Sequence, residues 1–223
     1  MVSEATRYFC FPQAWLFMVQ AVNQPKHHPM KNIAIIYYTG SGSTGKLAEA
    51  VHSGAASVPG VNAELIAIEG KDITEGRYHN DAVFEKLAKA DAILFGTPTY
   101  MGGVSAQFKA FADASGGVWY GQGWKDKIAG GFTISGSPSG DKLSTLQYLF
   151  VLASQHGMIW AGNPGMPSFY QGKTDGYNRL GAYSGVIAQN TTPQGQPAAI
   201  DAGDALTGQT YGRRVAELAL RLQ

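Results

Sequence analysis

The most constraining feature of this chain is an apolar strand that runs directly into a loop of glycine and hydroxyl residues. Ile33 to Tyr38 has the pattern of a buried strand. After the loop, apolar residues recur about every four positions, which predicts a helix from about Ser43 to Val58 with one apolar face. The loop between them contains Thr39, Gly40, Ser41, Gly42, Ser43, Thr44, Gly45 and Lys46. Strand, loop and helix in this order bring backbone N–H groups and a helix N-terminus to one anion, so the loop predicts a phosphate site.

Two kinds of phosphate site match these residues. Gly40 to Lys46 has the Walker A spacing G-x-x-x-x-G-K, but Leu47 stands where a serine or threonine would hold Mg²⁺. The other pattern, T-x-S-G-x-T, resembles the flavodoxin loop that holds the phosphate of FMN. A strand-to-helix turn without a ligand is the third interpretation. The missing magnesium ligand favours FMN over a nucleoside triphosphate.

Past this helix, strand and helix patterns alternate, which predicts parallel strands with helical crossovers. We expect a doubly wound α/β fold: a five-stranded parallel sheet in the order 2-1-3-4-5 between two helix layers. The later strands are predicted at Val61 to Ile68, Asp91 to Gly96, Ile128 to Ile134 and Met158 to Trp160. The later helices are predicted at Ala82 to Ala90, around Val104 to Ala112, around Leu143 to Ala153, and from Tyr211 to Leu222.

Two more glycine-containing polar loops follow the predicted third and fourth strands. In such a sheet, ligands bind at the carboxyl ends of strands one, three and four, so the three loops are expected to form one crevice. The candidate residues in the second loop are Pro98, Thr99, Tyr100, Met101 and Gly102. Those in the third loop are Ser135, Gly136, Ser137 and Gly140.

The second loop and the sequence after it resemble one family. Gly96 to Gly102, with Asp113 to Trp119 downstream, is similar to the F-G-T-P-T and D-x-T/S-G-G-x-W motifs of WrbA-type NAD(P)H:quinone oxidoreductases, which are flavodoxin-like. The similarity runs from about Met30 to Leu222. The third loop departs from the usual T-G-x-G-G of the family, so the chain is interpreted as a divergent member.

The resemblance implies an oxidoreductase that passes a hydride from NADH or NADPH through FMN to a quinone or similar small acceptor. Thr39 to Thr44 would hold the FMN phosphate, and the backbone of Pro98 to Gly102 would meet the edge of the ring. Ser135 to Ser137 and the following turn would contact the ribityl chain and ring. Trp119 would form part of the substrate wall, across the interface of a homodimer or homotetramer. No catalytic side chain is required, because the flavin carries the chemistry. The alternative is a flavodoxin-type one-electron carrier.

Composition narrows the possible partners and compartment. The formal net charge is +1, which does not suggest binding to nucleic acid and is unlike a strongly acidic carrier. The five histidines lack ligand spacing, so no metal site is expected. The single cysteine, Cys10, suits a reducing, cytoplasmic compartment.

Two segments fall outside the main pattern. Residues 1–29 are interpreted as an extension before a domain spanning 30–223, with an extra packed helix as the alternative. The apolar part of this extension is too short for membrane insertion, and it is a poor signal peptide. The segment from Gly162 to Gly203 contains four prolines, several tyrosines and little charge, which argues against simple disorder. The resemblance to WrbA-type proteins implies that this segment helps close the site and pack subunits.

Overall fold

A computed structural model describes residues 30–193 and 195–222, and the expectations for residues 1–29 lie outside this part. Nine strands are present in it. They are β1 (Lys31–Tyr37), β2 (Val61–Ala67), β3 (Ile73–Thr74), β4 (Arg77–Tyr78), β5 (Ala92–Tyr100), β6 (Gly103–Val104), β7 (Ile128–Ser135), β8 (Ile159–Trp160) and β9 (Val186–Gln189).

Six α-helices and two short 3₁₀ turns connect the described strands. The helices are α1 (Ser43–Ala56), α2 (Asp81–Lys89), α3 (Ala106–Ala114), α4 (Gly116–Tyr120), α5 (Lys142–Gln155) and α6 (Ala202–Arg221). The 3₁₀ turns are Gly70–Asp72 and Ser168–Gln171. None of the described helices combines the length and apolar character needed to cross a membrane.

The main sheet is parallel, in the order β2-β1-β5-β7, with β8 and β9 both beside β7. β8 pairs with the start of β7 and β9 with its end, so two short strands share the fifth position. This confirms the predicted flavodoxin-like order. The prediction placed the fifth strand at Met158 to Trp160 alone, and the structure adds Val186–Gln189.

Helices cover both faces of the sheet, as the three-layer prediction requires. On one face, α1 and α6 pack against β1, β5, β7 and β9 around Leu47, Val51, Tyr211 and Val215. On the other face, α2, α3 and α5 bury an aromatic core against the sheet. That core contains Phe95, Phe108, Phe111 and Trp124.

The structure corrects three predicted boundaries. β5 continues beyond Gly96 to Tyr100, where it turns back into β6, so Val104 lies in a strand and not in the following helix. α6 begins at Ala202, nine residues before the predicted Tyr211. The sequence patterns missed these boundaries because short strand pairings and a polar first turn of a helix leave little apolar periodicity.

The segment from Gly162 to Gly203 is tied to the sheet and to α6. Arg179 donates two hydrogen bonds to Asp204, at 2.9 and 2.8 Å, and Asp204 is buried. The Asn178 backbone N–H donates to Thr207 Oγ1 at 2.7 Å. The Trp160 ring N–H donates to the carbonyl of Ser184 at 2.9 Å. This segment therefore has specific contacts despite its turn-rich sequence.

Candidate functional site

Three loops meet at the carboxyl edge of the sheet. Loop 1 is residues 39–42, loop 2 is residues 98–102, and loop 3 is residues 135–141, following β1, β5 and β7 respectively. Loop 1 touches loop 2, since a Cβ atom placed on Gly40 would lie 2.5 Å from the hydroxyl oxygen of Tyr100. The hydroxyl of Ser144, at the start of α5, donates to the carbonyl of Gly102 beside loop 3. The predicted crevice is thus built from neighbouring loops.

Loop 1 has unpaired donors at the start of α1. The first hydrogen bond of the helix runs from Lys46 N–H to the Gly42 carbonyl at 3.1 Å, so the preceding N–H groups have no partner in the helix. Gly42 has φ +90°, in the left-handed region. The Thr39 hydroxyl oxygen is buried without a hydrogen-bond partner among the described residues, and the Ser43 and Thr44 side chains are buried. An oxyanion such as a phosphate monoester would satisfy these groups.

Lys46 separates this loop from a Walker A site. Its ammonium pairs with the Glu49 carboxylate at 2.8 Å, one turn along the exposed surface of α1. In a Walker A loop the lysine reaches the phosphates. The geometry therefore supports the monophosphate interpretation and disfavours the triphosphate one.

Loop 2 is the tip of a β-hairpin. Met101 and Gly102 form the turn with positive φ values of 46° and 79°, and Tyr100 pairs with Gly103 across it. Met101 is fully exposed and Tyr100 is half-exposed. Burial raises the pKa of Tyr100, with a smaller contribution from Tyr38, so its hydroxyl stays protonated at neutral pH. The hairpin places two large apolar side chains at the mouth of the crevice.

Thr99 has a structural role through its side chain. Its buried hydroxyl lies 2.9 Å from the Thr133 hydroxyl and 2.8 Å from the Thr145 hydroxyl, which joins β5, β7 and α5. Pro98 is also buried. Because both side chains are buried, any contact of Pro98 or Thr99 with a cofactor would have to involve the backbone.

Loop 3 encloses the side chain of Lys142. The ammonium donates to Ser135 Oγ at 3.0 Å and to the Ser137 carbonyl at 2.5 Å, and the residue is fully buried. Burial lowers the pKa of Lys142, and the charge of Asp204 opposes this shift. Ser135 is half-buried, and Gly136 and Ser137 are exposed. Sequence analysis identified the loop but did not predict the buried lysine, because Lys142 has the pattern of an ordinary surface residue at a helix start.

The segment after β9 also reaches this edge. The Asn190 N–H donates to the Ser135 carbonyl at 2.8 Å, and the Gln189 amide donates to the Gly136 carbonyl at 3.0 Å. Farther along, Ala198 lies over loop 1, where a Cβ atom on Gly42 would be 2.9 Å from the Ala198 Cβ. The segment therefore borders both loop 1 and loop 3. The sequence analysis did not identify which of its residues make these contacts.

Comparison with known proteins identifies the family. Residues 30–168, more than half of the chain, match the NADPH-dependent FMN reductase family. The chain belongs to this family. The crystal structure of the flavodoxin, WrbA-like protein from Agrobacterium tumefaciens superposes with a TM-score of 0.64 at 40% identity, covering 86% of this chain and 99% of that one. Membership confirms the predicted oxidoreductase class, the FMN cofactor and the nicotinamide electron donor.

Two curated relatives align with this chain over almost the whole of their own length. Flavodoxin FldP of Pseudomonas aeruginosa (strain UCBPP-PA14) is 38% identical over 194 residues, which is 86% of this chain and 99% of that protein. An NAD(P)H dehydrogenase (quinone) of Geobacter sulfurreducens (strain ATCC 51573 / DSM 12127 / PCA) is 32% identical over 207 residues, which is 86% of this chain and 98% of that protein. The names of these two relatives correspond to the two functions that the sequence analysis considered, a flavodoxin and a quinone oxidoreductase.

Trp119 does not join the three loops within its own chain. After β6, α3 runs back along the sheet toward its amino edge, where β7 begins. Trp119 lies on α4, between α3 and β7. Its side chain is 47% exposed, so it is not a core aromatic residue. A role for Trp119 in substrate binding therefore requires another copy of the chain.

His156, directly after the end of α5, is buried. Its Nε2 lies 2.9 Å from the Ser115 hydroxyl, and its ring packs on Trp124 with centroids 4.3 Å apart. Burial lowers its pKa from 6.5 to about 4. These contacts place His156 in the aromatic core. Within the described residues, no group of three or more histidine, cysteine or acidic side chains is arranged to hold a metal ion.

Proposed function

We propose that this protein is an NAD(P)H-dependent FMN oxidoreductase that reduces a quinone or a similar small acceptor by two electrons. Family membership supports the nicotinamide and flavin parts of this proposal. The acceptor is supported by relatives named NAD(P)H dehydrogenase (quinone), such as that of Geobacter sulfurreducens. The relative named flavodoxin supports the alternative, a one-electron carrier.

The observation that carries the proposal is the apolar mouth of the crevice. Tyr100 and Met101 project from the loop 2 hairpin with 47% and 104% relative exposure. A planar apolar acceptor would stack on such side chains, because aromatic and thioether groups bind ring faces. A carrier that docks on proteins commonly uses complementary surface charge, whereas this chain has a net charge of +1 and no acidic residue in loops 1 and 2.

FMN fits the described groups, and each loop has a distinct task. The unpaired N–H groups of loop 1 and the Thr39 hydroxyl would bind the phosphate. The loop 2 backbone and Ser135 would hydrogen-bond the ring and ribityl chain, while Tyr100 covers the crevice against water. When bound, FMN supplies the chemistry by accepting a hydride equivalent from the nicotinamide and passing two electrons to the acceptor.

An assembly of two or four copies is part of this proposal. Trp119 and the neighbouring Tyr120 are 47% and 85% exposed on α4, away from the loops of their own chain. Exposed aromatic residues of this kind favour an interface, through which Trp119 would reach the acceptor site of another subunit.

The single cysteine accords with a reducing, cytoplasmic compartment.

The decisive experiment follows the flavin absorbance band under anaerobic conditions. The FMN-loaded protein is mixed with NADH or with NADPH, and benzoquinone is then added. We expect rapid bleaching by one or both nicotinamides and recovery on addition of quinone. Tyr100→Ala should raise the KM for quinone several-fold while FMN reduction by the nicotinamide persists, because a stacking surface is lost.

Other outcomes would contradict the proposal. If FMN stays bound but neither nicotinamide reduces it at a useful rate, the carrier is the better interpretation. If reduction occurs but benzoquinone and related acceptors do not restore the band, the protein is a flavin reductase with a different acceptor.

A further inference from the structure

Lys142 places a buried positive charge beneath loop 3. It is the first residue of α5 and is fully buried, with its ammonium bonded to Ser135 Oγ and to the Ser137 carbonyl. Gly140 has φ +53°, and a Cβ atom there would lie 2.3 Å from Ser135 Oγ and 3.3 Å from Lys142 Nζ. Loop 3 therefore closes tightly around the ammonium because residue 140 is glycine.

No described carboxylate pairs directly with this ammonium. The described ion pairs within 4.0 Å do not include Lys142. The acidic group that acts on it from a distance, Asp204, accepts hydrogen bonds from Nε and Nη2 of Arg179 and from the Gln189 N–H at 2.9 Å. Loop 3 ends in one acidic residue, Asp141, which is exposed, directly precedes α5 and is absent from the described ion pairs. The first turn of α5 carries no acidic residue, and a helix N-terminus is itself positive. The Lys142 ammonium therefore lies at a helix N-terminus without a carboxylate in direct contact among the described residues.

Buried charge of this kind is costly unless an opposite charge arrives. Reduction of FMN supplies one at this edge of the sheet. The reduced nicotinamide gives up a hydride, which is one proton with two electrons, and becomes the oxidised nicotinamide. The flavin gains that proton and both electrons. The ring therefore gains one net negative charge, which is balanced by the positive charge left on the nicotinamide.

Ser135 connects the ammonium to the crevice. Its oxygen accepts the hydrogen bond from Lys142 at 3.0 Å, and its own contact to the Ser137 carbonyl is long, at 3.5 Å. A hydroxyl that accepts from an ammonium is polarised and becomes a better donor to an anion. Its proton can therefore point into the crevice, since the side chain is only half-buried.

We propose that Lys142 is a positioning residue that orients and polarises the Ser135 hydroxyl, and that its charge stabilises reduced, anionic FMN relative to oxidised FMN. This inference rests on the bound FMN of the proposed function but not on the identity of the acceptor. It accounts for the lysine in a position where packing alone would favour an apolar residue. It also favours a flavin that takes up two electrons as a hydride.

The test compares affinities for the two redox forms of FMN. Lys142→Met removes the charge at similar length, and Lys142→Gln keeps a donor without the charge. Lys127→Met is the matched control. Lys127 precedes β7 at the opposite edge of the sheet, where its partly buried ammonium donates to the carbonyls of Ala88, at 2.8 Å, and Ala90.

Dissociation constants are measured for oxidised FMN and for dithionite-reduced FMN, together with the two-electron midpoint potential by dye equilibration. We expect Lys142→Met and Lys142→Gln to weaken binding of reduced FMN about tenfold more than that of oxidised FMN. For a two-electron couple this lowers the potential by about 30 mV. Lys127→Met should leave the ratio of the two constants unchanged.

Three results would overturn the inference. Equal weakening of both redox forms would mean that Lys142 only supports the shape of loop 3. A wild-type potential in Lys142→Gln would assign the effect to hydrogen bonding without charge. An equal shift in Lys127→Met would assign it to net charge. Because neither nicotinamide nor quinone is present, failure of the proposed acceptor would leave these measurements unaffected.

Discussion

At the scale of single residues, the backbone of Gly42 controls the start of the phosphate loop. Its φ of +90° is strained for any residue with a Cβ atom, and that atom would lie 2.9 Å from the Ala198 Cβ. We expect Gly42→Ala to lower the free energy of unfolding by about 1–2 kcal/mol. Because the strain changes the direction of the loop N–H groups, FMN affinity should also fall about tenfold. Urea unfolding and fluorescence titration with FMN measure the two effects.

Gly76→Ala is the control for Gly42→Ala. Gly76 has φ +76° in the turn between β3 and β4, and no nearby atom of the described residues lies within 4 Å of a Cβ there. This variant should lose stability without losing FMN affinity. If Gly42→Ala also binds FMN normally, loop 1 does not hold the phosphate. The hydroxyl and glycine pattern was sufficient to predict the loop between β1 and α1, because this strand, loop and helix arrangement depends on local sequence.

The side-chain roles of Thr99 and Lys142 could not be predicted in the same way. Thr99 bonds to hydroxyls that are 34 and 46 residues distant in the chain. Lys142 is buried only because loop 3 folds over it. Both depend on contacts between elements, which a sequence pattern with a period of two or four residues does not encode.

At the scale of elements, α1 and α6 approach so closely that Gly54 and Gly212 leave no room for a Cβ atom. A Cβ atom on Gly212 would lie 1.9 Å from the Val51 carbonyl oxygen, and one on Gly54 would lie 1.8 Å from that of Gln209. Gly212→Ala should therefore push the helices apart and cost about 2–4 kcal/mol in the free energy of unfolding. Since α1 carries loop 1 at its start, FMN affinity should fall as well. Chemical unfolding with and without FMN measures both.

Gly117→Ala serves as the control for helix propensity. Gly117 lies in α4, and within the described part of the chain no atom outside the backbone of the helix itself lies within 4 Å of a Cβ placed there. Alanine should be neutral or add up to about 1 kcal/mol. If Gly212→Ala is equally harmless, the helices have room to separate and the close approach is unimportant. The sequence predicted α1 from its apolar period, but it did not reveal this contact with α6.

The divided fifth strand shows the same limit of sequence-based prediction at the element scale. The two-residue β8 and the four-residue β9 are too short for a clear alternating pattern, and 25 residues separate them. Both pair in parallel with β7, and this pairing defines them. The longer strands β1, β5 and β7 were predictable from their apolar runs, because each of these strands is buried on both faces.

At the scale of the whole molecule, the crevice joins parts of the chain that are distant in sequence. Loops 1, 2 and 3 follow three strands, and Ala198 adds the segment before α6. A ligand that contacts all of them can bind only the folded protein. Its binding must therefore stabilise the whole sheet and not one loop. We expect the phosphate to supply much of this binding, because the N–H groups at the start of α1 and the buried Thr39 hydroxyl could bond to it.

Thermal unfolding with FMN and with riboflavin tests this coupling. At about 100 times its dissociation constant, FMN should stabilise the protein by about 2.7 kcal/mol. For a chain of this size that raises Tm by roughly 5–10 °C. Riboflavin at the same concentration, which has the ring and ribityl chain but no phosphate, should give a much smaller shift. Equal shifts would show that ring contacts dominate and that loop 1 contributes little. Because the free donors lie at the start of α1, where a dianion gains most, we expect the phosphate to account for most of the difference.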